Sequence, residues 1–176
     1  MSVTSKLVGE VTNGTPRDYL ILNGEHFYAI EVQFLDAPID VLVSEYVKQD
    51  VYSGKVEVTG YLASTPSKEG HPTFYFLANS IESVPEDTPI TNKVGFKYKV
   101  TKVSKFKANS RGIDLLPLVV ADYTPHQTTS VIYMCLRGAL ARKHKDRPAN
   151  YYISGEGYLK KYRDIYEIIV MDAEVE

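Results

Sequence analysis

The sequence contains the same order of five strand-like segments twice, and this repeat restricts the fold more than any other feature. The segments are 8–14, 26–36, 39–47, 54–64 and 72–84 in the first half, and 94–103, 112–122, 128–141, 149–161 and 164–175 in the second. Valine, isoleucine, tyrosine and phenylalanine are common in them, as in pleated strands. The tripeptide Gly-Tyr-Leu occurs in the fourth segment of each half, at 60–62 and 157–159. The shared order therefore indicates a duplication.

Five short strands within about 80 residues favour a small closed barrel, because closure removes the exposed edges at which sheets aggregate. We expect an all-β chain that contains two tandem five-stranded barrels. The expected boundaries are an acidic domain at 1–85, a linker at 86–92 and a basic domain at 93–176. Pro85 and Pro89 interrupt the strand pattern around the linker.

A short helix is expected in the second domain, between its third and fourth strands. In the segment 136–148, Leu136, Ala139, Leu140 and His144 would share one face, and Pro148 would end the helix. The first domain has only a shorter counterpart, at 44–54.

The net charge of −2 conceals a division between the halves. Residues 1–89 contain five lysines and arginines and 13 acidic residues, a net charge of −8, whereas residues 90–176 contain 15 and nine, a net charge of +6. A basic surface attracts phosphate and an acidic one repels it. We therefore expect nucleic acid to be bound mainly by the second half.

The most basic segment is 93–111, in which seven lysines and arginines occur without an acidic residue. Alternation along the strand predicts that Phe96 and Tyr98 face the core while Lys97 and Lys99 face outward. Binding of single strands without sequence preference requires cations along the backbone and flat rings for the bases, and this segment has both. A charged edge strand that is merely solvated is the alternative interpretation.

In its strand order and fourth-strand motifs the chain resembles the bacterial and phage single-stranded DNA-binding protein family, in a tandem form with two OB folds. The segment SGKVEVTGYLAS (53–64) matches the fourth-strand motif of the family, YYISGEGYLKK (151–161) matches it loosely, and SVIYMCLRGALA (130–141) resembles its third strand and helix. The resemblance covers nearly the whole chain and implies OB barrels that bind single-stranded DNA.

The chain departs from the family pattern in three places. Arg137 replaces the usual aromatic residue, no tryptophan is present for base stacking, and MDAEVE follows the last strand directly. Because the family's glycine-rich acidic tail recruits partner enzymes, recruitment of that kind is not expected here.

In OB folds, the loop after the first strand and the hairpin between the last two strands flank the ligand groove. We therefore expect 93–111 to converge on one face with 158–166, the hairpin of the second domain. Phe106 and Tyr162 are expected to stack on bases, and packing of Tyr162 on its own hairpin is nearly as well supported. The basic cluster at 142–147 is interpreted as a solvated helix face.

The candidate nucleic-acid-binding residues are Lys97, Lys99, Lys102, Lys105, Phe106, Lys107, Arg111, Lys160, Lys161, Tyr162 and Arg163.

No enzymatic motif is present, and we expect neither a catalytic residue, a metal nor a cofactor. The phosphate-binding loop of nucleotidases is absent, and no two of the four histidines (His26, His71, His126 and His144) have the spacing of metal ligands. Cys135, the single cysteine, is interpreted as a buried strand residue. The chain has no apolar run long enough for a membrane and no signal-peptide pattern, so a cytoplasmic location is expected.

The leading functional hypothesis is a single-stranded DNA-binding protein that acts in replication, recombination or DNA transfer, including in a phage or mobile element. An RNA-binding OB protein is one alternative. A second is an adaptor or inhibitor that has lost its nucleic-acid contacts, although it would not need the basic segment. A nuclease ranks last, because no carboxylate cluster for a metal is found. The acidic half is expected to mediate self-association or docking, and the resemblance to the family implies a homodimer or higher oligomer.

Overall fold

The first part of the chain forms a closed five-stranded barrel in the computed structural model, which describes residues 3–65, 70–123 and 129–176. The strands are β1 (Ser5–Leu22), β2 (Glu25–Phe34), β3 (Ala37–Ser44), β4 (Lys55–Thr65) and β5 (Thr73–Ser83). They close in the order β1-β2-β3-β5-β4, with β4 pairing back to β1. Only β3 and β5 run parallel among these neighbours; the other pairs are antiparallel.

The second part repeats this barrel. Its elements are β6 (Lys93–Val103), β7 (Lys107–Ala108), β8 (Asp114–Tyr123), β9 (Thr129–Arg137), α1 (Ala139–His144), β10 (Tyr152–Tyr162), β11 (Ile165–Val170) and β12 (Ala173–Val175). The strands close in the order β6-β8-β9-β11-β10, again with one parallel pair, β9 and β11. The short strands β7 and β12 add to the edges of β8 and β10. The predicted fold class, two tandem OB-like barrels with a helix in the second, is thus confirmed.

The first strand is longer than the sequence pattern indicates. A strand was expected at 8–14, but β1 continues to Leu22 and pairs with β2 from Glu10 onward. Asn13-Gly14 and Pro16 interrupt the apolar alternation, and the structure accommodates them with irregularities in the β1–β2 register between Val11 and Asn13 and between Asn13 and Arg17.

The helix lies where it was expected, but one of its predicted core residues is wrong. Ala139 is exposed, and the buried residues of α1 are Leu140, Ala141 and His144. Leu136 is buried as part of β9 instead. The cause is Gly138, whose positive φ of 62° turns the chain between β9 and α1, so that a helical period counted from Leu136 does not carry through.

One apolar core runs through both barrels, since the largest cluster of buried residues includes Phe34 and Phe76 of the first and Phe96 and Leu136 of the second. Buried hydrogen bonds also cross the junction. Ser64 Oγ donates to the carbonyl oxygen of Val131 at 2.6 Å, and Ser130 Oγ accepts from the Ser64 amide at 3.2 Å.

The segment between the barrels is held on both sides. Lys55, which is 9% exposed, donates from Nζ to the carbonyl oxygens of Glu86 and Thr88. The buried Asn92 donates to the carbonyl oxygen of Leu159 at 2.9 Å. Contacts therefore fix this segment to both barrels.

His126, expected in a loop between strands, lies outside the described residues. Within the described ranges, no helix is long and apolar enough to cross a membrane.

Candidate nucleic-acid interface

Strand β6 has the two faces that its alternation predicts. Phe96 and Tyr98 are buried, with their rings stacked 5.5 Å apart, whereas Lys97 and Lys99 are exposed. Burial raises the pKa of the Tyr98 hydroxyl, as expected for a ring inside the barrel. Tyr98 is therefore part of the core and is not available to stack on a base.

The lysines of β6 and β7 border the outer surface of β8 and β9. Lys102 lies opposite Val119, which lies opposite Tyr133. Lys107 lies opposite Leu115, whose partner on β9 is Arg137. Two rows thus cross the sheet, each from an exposed lysine over a half-buried apolar residue to a ring or a guanidinium.

The next strand across this surface is β11, followed by β10. Ile169 of β11 lies beside Cys135, and Glu167 lies opposite Lys160 of β10. We call this surface the β8–β9–β11 face. It consists of the outward residues Leu115, Val119, Tyr133, Arg137 and Glu167, with Lys102 and Lys107 on one side and Lys160 on the other.

Barrel closure decides how the two predicted basic segments are related. Strands β6 and β10 run antiparallel, with Lys99 opposite Tyr152 and Lys93 opposite Tyr158. Residues 160–163 therefore lie beyond the start of β6, far from the lysines at its other end. Around the other side of the barrel, however, the positive charges of both Lys107 and Lys160 act on the same carboxyl group, that of Glu167. The two segments therefore lie on opposite sides of the β8–β9–β11 face, and their convergence on one bound strand stays a prediction.

Phe106 and Tyr162, the rings expected to stack on bases, have different surroundings. Phe106 is half-buried against the core, and Lys145 Nζ lies 5.4 Å from its ring centroid. Tyr162 is 61% exposed at the end of β10, and the Arg163 guanidinium covers one side of its ring at 5.4 Å. Tyr162 thus presents more free ring surface than Phe106.

The remaining predicted residues lie outside this surface, some near its rim and others on different sides of the barrel. Lys105 and Arg111 are exposed in the connection between β6 and β8, where Arg111 follows a turn closed by the Asn109 side chain. Lys161 Nζ lies 5.0 Å from the ring centroid of Tyr166, on the side of β10 opposite to Lys160. Lys97 lies opposite Ser154, away from β8.

The sequence analysis missed several residues of this surface and its border, among them Tyr133, Arg137 and, beside Ile169 at the β10 border, Tyr158. Tyr158, which is 47% exposed, lies two positions before Lys160 and four before Tyr162. Tyr158, Lys160 and Tyr162 therefore all point outward from β10. Tyr133 and Arg137 point outward from β9 by the same alternation. Strict application of the two-residue period to 131–137 and 158–162 would have found them.

Tyr133 also joins this surface to the first barrel. Its hydroxyl lies 3.2 Å from His71 Nδ1, and the two rings meet edge to face at 5.7 Å. The first barrel therefore borders the β8–β9–β11 face at the Tyr133 end.

The equivalent surface of the first barrel is covered. A second buried cluster, the outer cluster, lies there and consists of Phe27, Ala29, Leu42, Ala63, Tyr75 and Leu77. Tyr19, Leu20 and Leu22 of β1 pack against it. Arg17 and Asp40 form an ion pair of 2.6 Å beside it. The extended end of β1 thus covers the face that is open in the second barrel.

Cys135 is 4% exposed, and burial raises the pKa of its thiol, which disfavours the reactive thiolate. Within residues 3–65, 70–123 and 129–176, no three histidine, cysteine or carboxylate side chains lie close enough together to hold a metal ion.

No family model and no curated protein matches the sequence. The structure, in contrast, is similar to the wild-type single-stranded DNA binding protein from Thermus aquaticus, with a TM-score of 0.74 and 15% identity over 97% of this chain and 91% of that one. A deletion variant of the Thermus aquaticus protein aligns with a TM-score of 0.75 and 14% identity over 97% and 92% of the two chains. At such low identity the likeness concerns the fold. The predicted resemblance to tandem single-stranded DNA-binding proteins is confirmed at that level: this chain has their two-barrel fold.

Proposed function

We propose that this chain binds single-stranded DNA through the β8–β9–β11 face of its second barrel. The supporting observation is that cations from two separate segments, Lys107 and Lys160, lie on either side of one half-buried surface that carries apolar residues and rings. Phosphates would follow the lysines, and bases would lie on Val119, Tyr133 and Tyr158. The open face, the net charge of +6 over residues 90–176 and the fold agree with this function.

The test is fluorescence anisotropy with a labelled oligo-dT of about 30 nucleotides, titrated at several salt concentrations. In the double variant Lys102→Glu/Lys107→Glu we expect affinity to fall by about tenfold or more, because charge reversal repels the phosphates. The slope of log K against log salt should decrease by about 0.7 for each lost phosphate contact.

The matched control is Lys6→Glu/Lys143→Glu, which makes the same change in net charge at two exposed lysines on β1 and α1. Its affinity should remain close to that of the wild type. An equal loss of affinity in both variants would show that the effect depends on net charge alone. The β8–β9–β11 face would then not be the binding surface. If the wild type does not bind the oligonucleotide at low salt, the proposed function is wrong.

The proposal has two finer parts. The ligand is DNA rather than RNA, and the protein acts in replication, recombination or DNA transfer. Competition of oligo-dT with oligo-U of equal length tests the first, since a 2′-hydroxyl contact would favour RNA. Stronger competition by oligo-U would shift the proposal to an RNA-binding protein.

The first barrel is proposed as an assembly surface. Its β3–β4 connection exposes Tyr46 at 78%, Val47 at 58% and Val51 at 61%, in a half of the chain whose acidic charge repels phosphate. Sedimentation of the whole chain over a range of concentrations should show self-association, which Val47→Ser/Val51→Ser should weaken. A monomer at all concentrations contradicts this part of the proposal.

A further inference from the structure

Glu167 is the acidic residue on the β8–β9–β11 face, and its position is unusual for a surface that is proposed to bind phosphate. Its cross-strand partner on β10 is Lys160. The charges of Arg137 on β9 and Lys107 on β7 also act on it. One carboxylate thus lies directly across the ladder from one lysine and within the electrostatic influence of two further cations.

The cations that surround Glu167 are among those proposed to contact DNA. Arg137 is half-buried, and its Nε is buried without a hydrogen-bond partner. A strand that binds Arg137, Lys107 and Lys160 therefore comes close to the Glu167 carboxylate. A phosphate has the same charge sign and the same acceptor chemistry as the carboxylate that it would displace.

We propose that Glu167 competes with the DNA phosphates for the cations of this face, and this inference rests on the proposed function. The competition lowers the affinity for single strands and makes it depend on salt and pH. In the free protein the carboxylate partly neutralises the three cations. When a strand binds, repulsion between Glu167 and the nearest phosphate opposes the attraction of the lysines, since both are anions at neutral pH. The carboxylate thus keeps the bound strand exchangeable.

The environment of Glu167 adds a pH dependence. Burial raises the pKa of its carboxyl, against the opposing effects of Arg137, Lys160 and Lys107. The titratable and charged groups that face it are Tyr133, Cys135 and Arg137 on β9 and Lys160 on β10, with Lys107 of β7 beyond them. Protonation of Glu167 as the pH falls through its raised pKa removes a negative charge from the face.

The experiment compares Glu167→Gln with the wild type in the anisotropy titration with oligo-dT. We expect affinity to rise about two- to fivefold, the range for removing one charge interaction at a protein surface. The salt slope should increase by about 0.7, because one freed cation becomes available to a phosphate. Wild-type affinity should also rise as the pH is lowered towards the range in which Glu167 protonates, and this rise should be smaller in Glu167→Gln.

The control is Glu82→Gln, which removes the same charge from an exposed position of the first barrel. An equal gain in both variants would assign the effect to net charge and overturn the proposal. Unchanged or weaker binding by Glu167→Gln would also overturn it, since a residue that positions the cations or accepts a bond from a base is needed for affinity. These outcomes leave the proposed function intact, whereas a wild type that does not bind DNA at all contradicts the function itself.

Discussion

At the residue scale, the repeated Gly-Tyr-Leu tripeptide has a packing explanation. A Cβ atom on Gly60 would lie 2.0 Å from the carbonyl oxygen of Leu77, because β4 and β5 approach closely beside a register irregularity. A Cβ atom on Gly157 would lie 2.4 Å from Ile168 Cγ2 and 2.8 Å from the carbonyl oxygen of Ile169. Both barrels therefore need glycine at the same point of their fourth strand, where closure leaves no room for a side chain.

We expect Gly60→Ala and Gly157→Ala each to lower the free energy of unfolding by about 1–3 kcal/mol, the usual effect of overpacking. Urea denaturation followed by circular dichroism measures the change. Ser80→Ala, an exposed substitution on β5 next to Gly60 in the sheet, should have little effect. If the glycine variants are as stable as the wild type, the strands can separate locally and the packing explanation is wrong.

At the scale of the element, the extended end of β1 distinguishes the two barrels. Tyr19 packs on the outer cluster of the first barrel, with its ring edge to face with that of Tyr75 at 6.1 Å. Burial raises the pKa of Tyr75 to about 12, which agrees with a covered position. This end of β1 is not evident from sequence, because Pro16 and Asn13-Gly14 resemble a turn, and pairing with β2 overrides that local preference.

We expect Tyr19→Ser to expose the outer cluster of the first barrel without weakening DNA binding, since that surface is not part of the proposed interface. Fluorescence of a hydrophobic dye should increase, and affinity for oligo-dT should stay unchanged. Tyr46→Ser removes a tyrosine that is already 78% exposed and should not alter dye binding. A marked loss of DNA affinity in Tyr19→Ser would instead place part of the interface on the first barrel.

At the scale of the whole molecule, the barrels are joined more firmly than a linker between two domains implies. The continuous apolar core, the hydrogen bonds between Ser64 and β9, and the bond from the Gly95 amide to Ser5 Oγ at 2.9 Å all cross the junction. Separation of the barrels would expose buried apolar surface and leave buried polar groups without partners.

We therefore expect thermal unfolding to occur in one transition, with equal calorimetric and van't Hoff enthalpies. Ser130→Ala should lower stability by about 1–3 kcal/mol, because the buried Ser64 amide loses its acceptor. The exposed Ser110→Ala is the matched substitution and should leave the transition temperature unchanged. Two resolved transitions in the wild type would show that the barrels unfold independently.

The sequence by itself determined what depends on local pattern. Alternation placed Phe96 and Tyr98 in the core and Lys97 and Lys99 at the surface, and the repeated strand order indicated two closed barrels. These features could be predicted because a strand's two faces follow from a period of two residues, whatever the strand pairs with. The same period, applied to β9 and β10, would also have revealed Arg137 and Tyr158.

Only the tertiary structure decided which outward residues share a surface. Lys107 and Lys160 are 53 positions apart and lie near the same carboxylate because β8, β9 and β11 close the barrel between them. Glu167, which has no distinctive motif around it, gains its proposed role from that closure alone. Register and closure are long-range choices among many pairings, and the free energy that selects them comes from packing across the whole core rather than from any one segment.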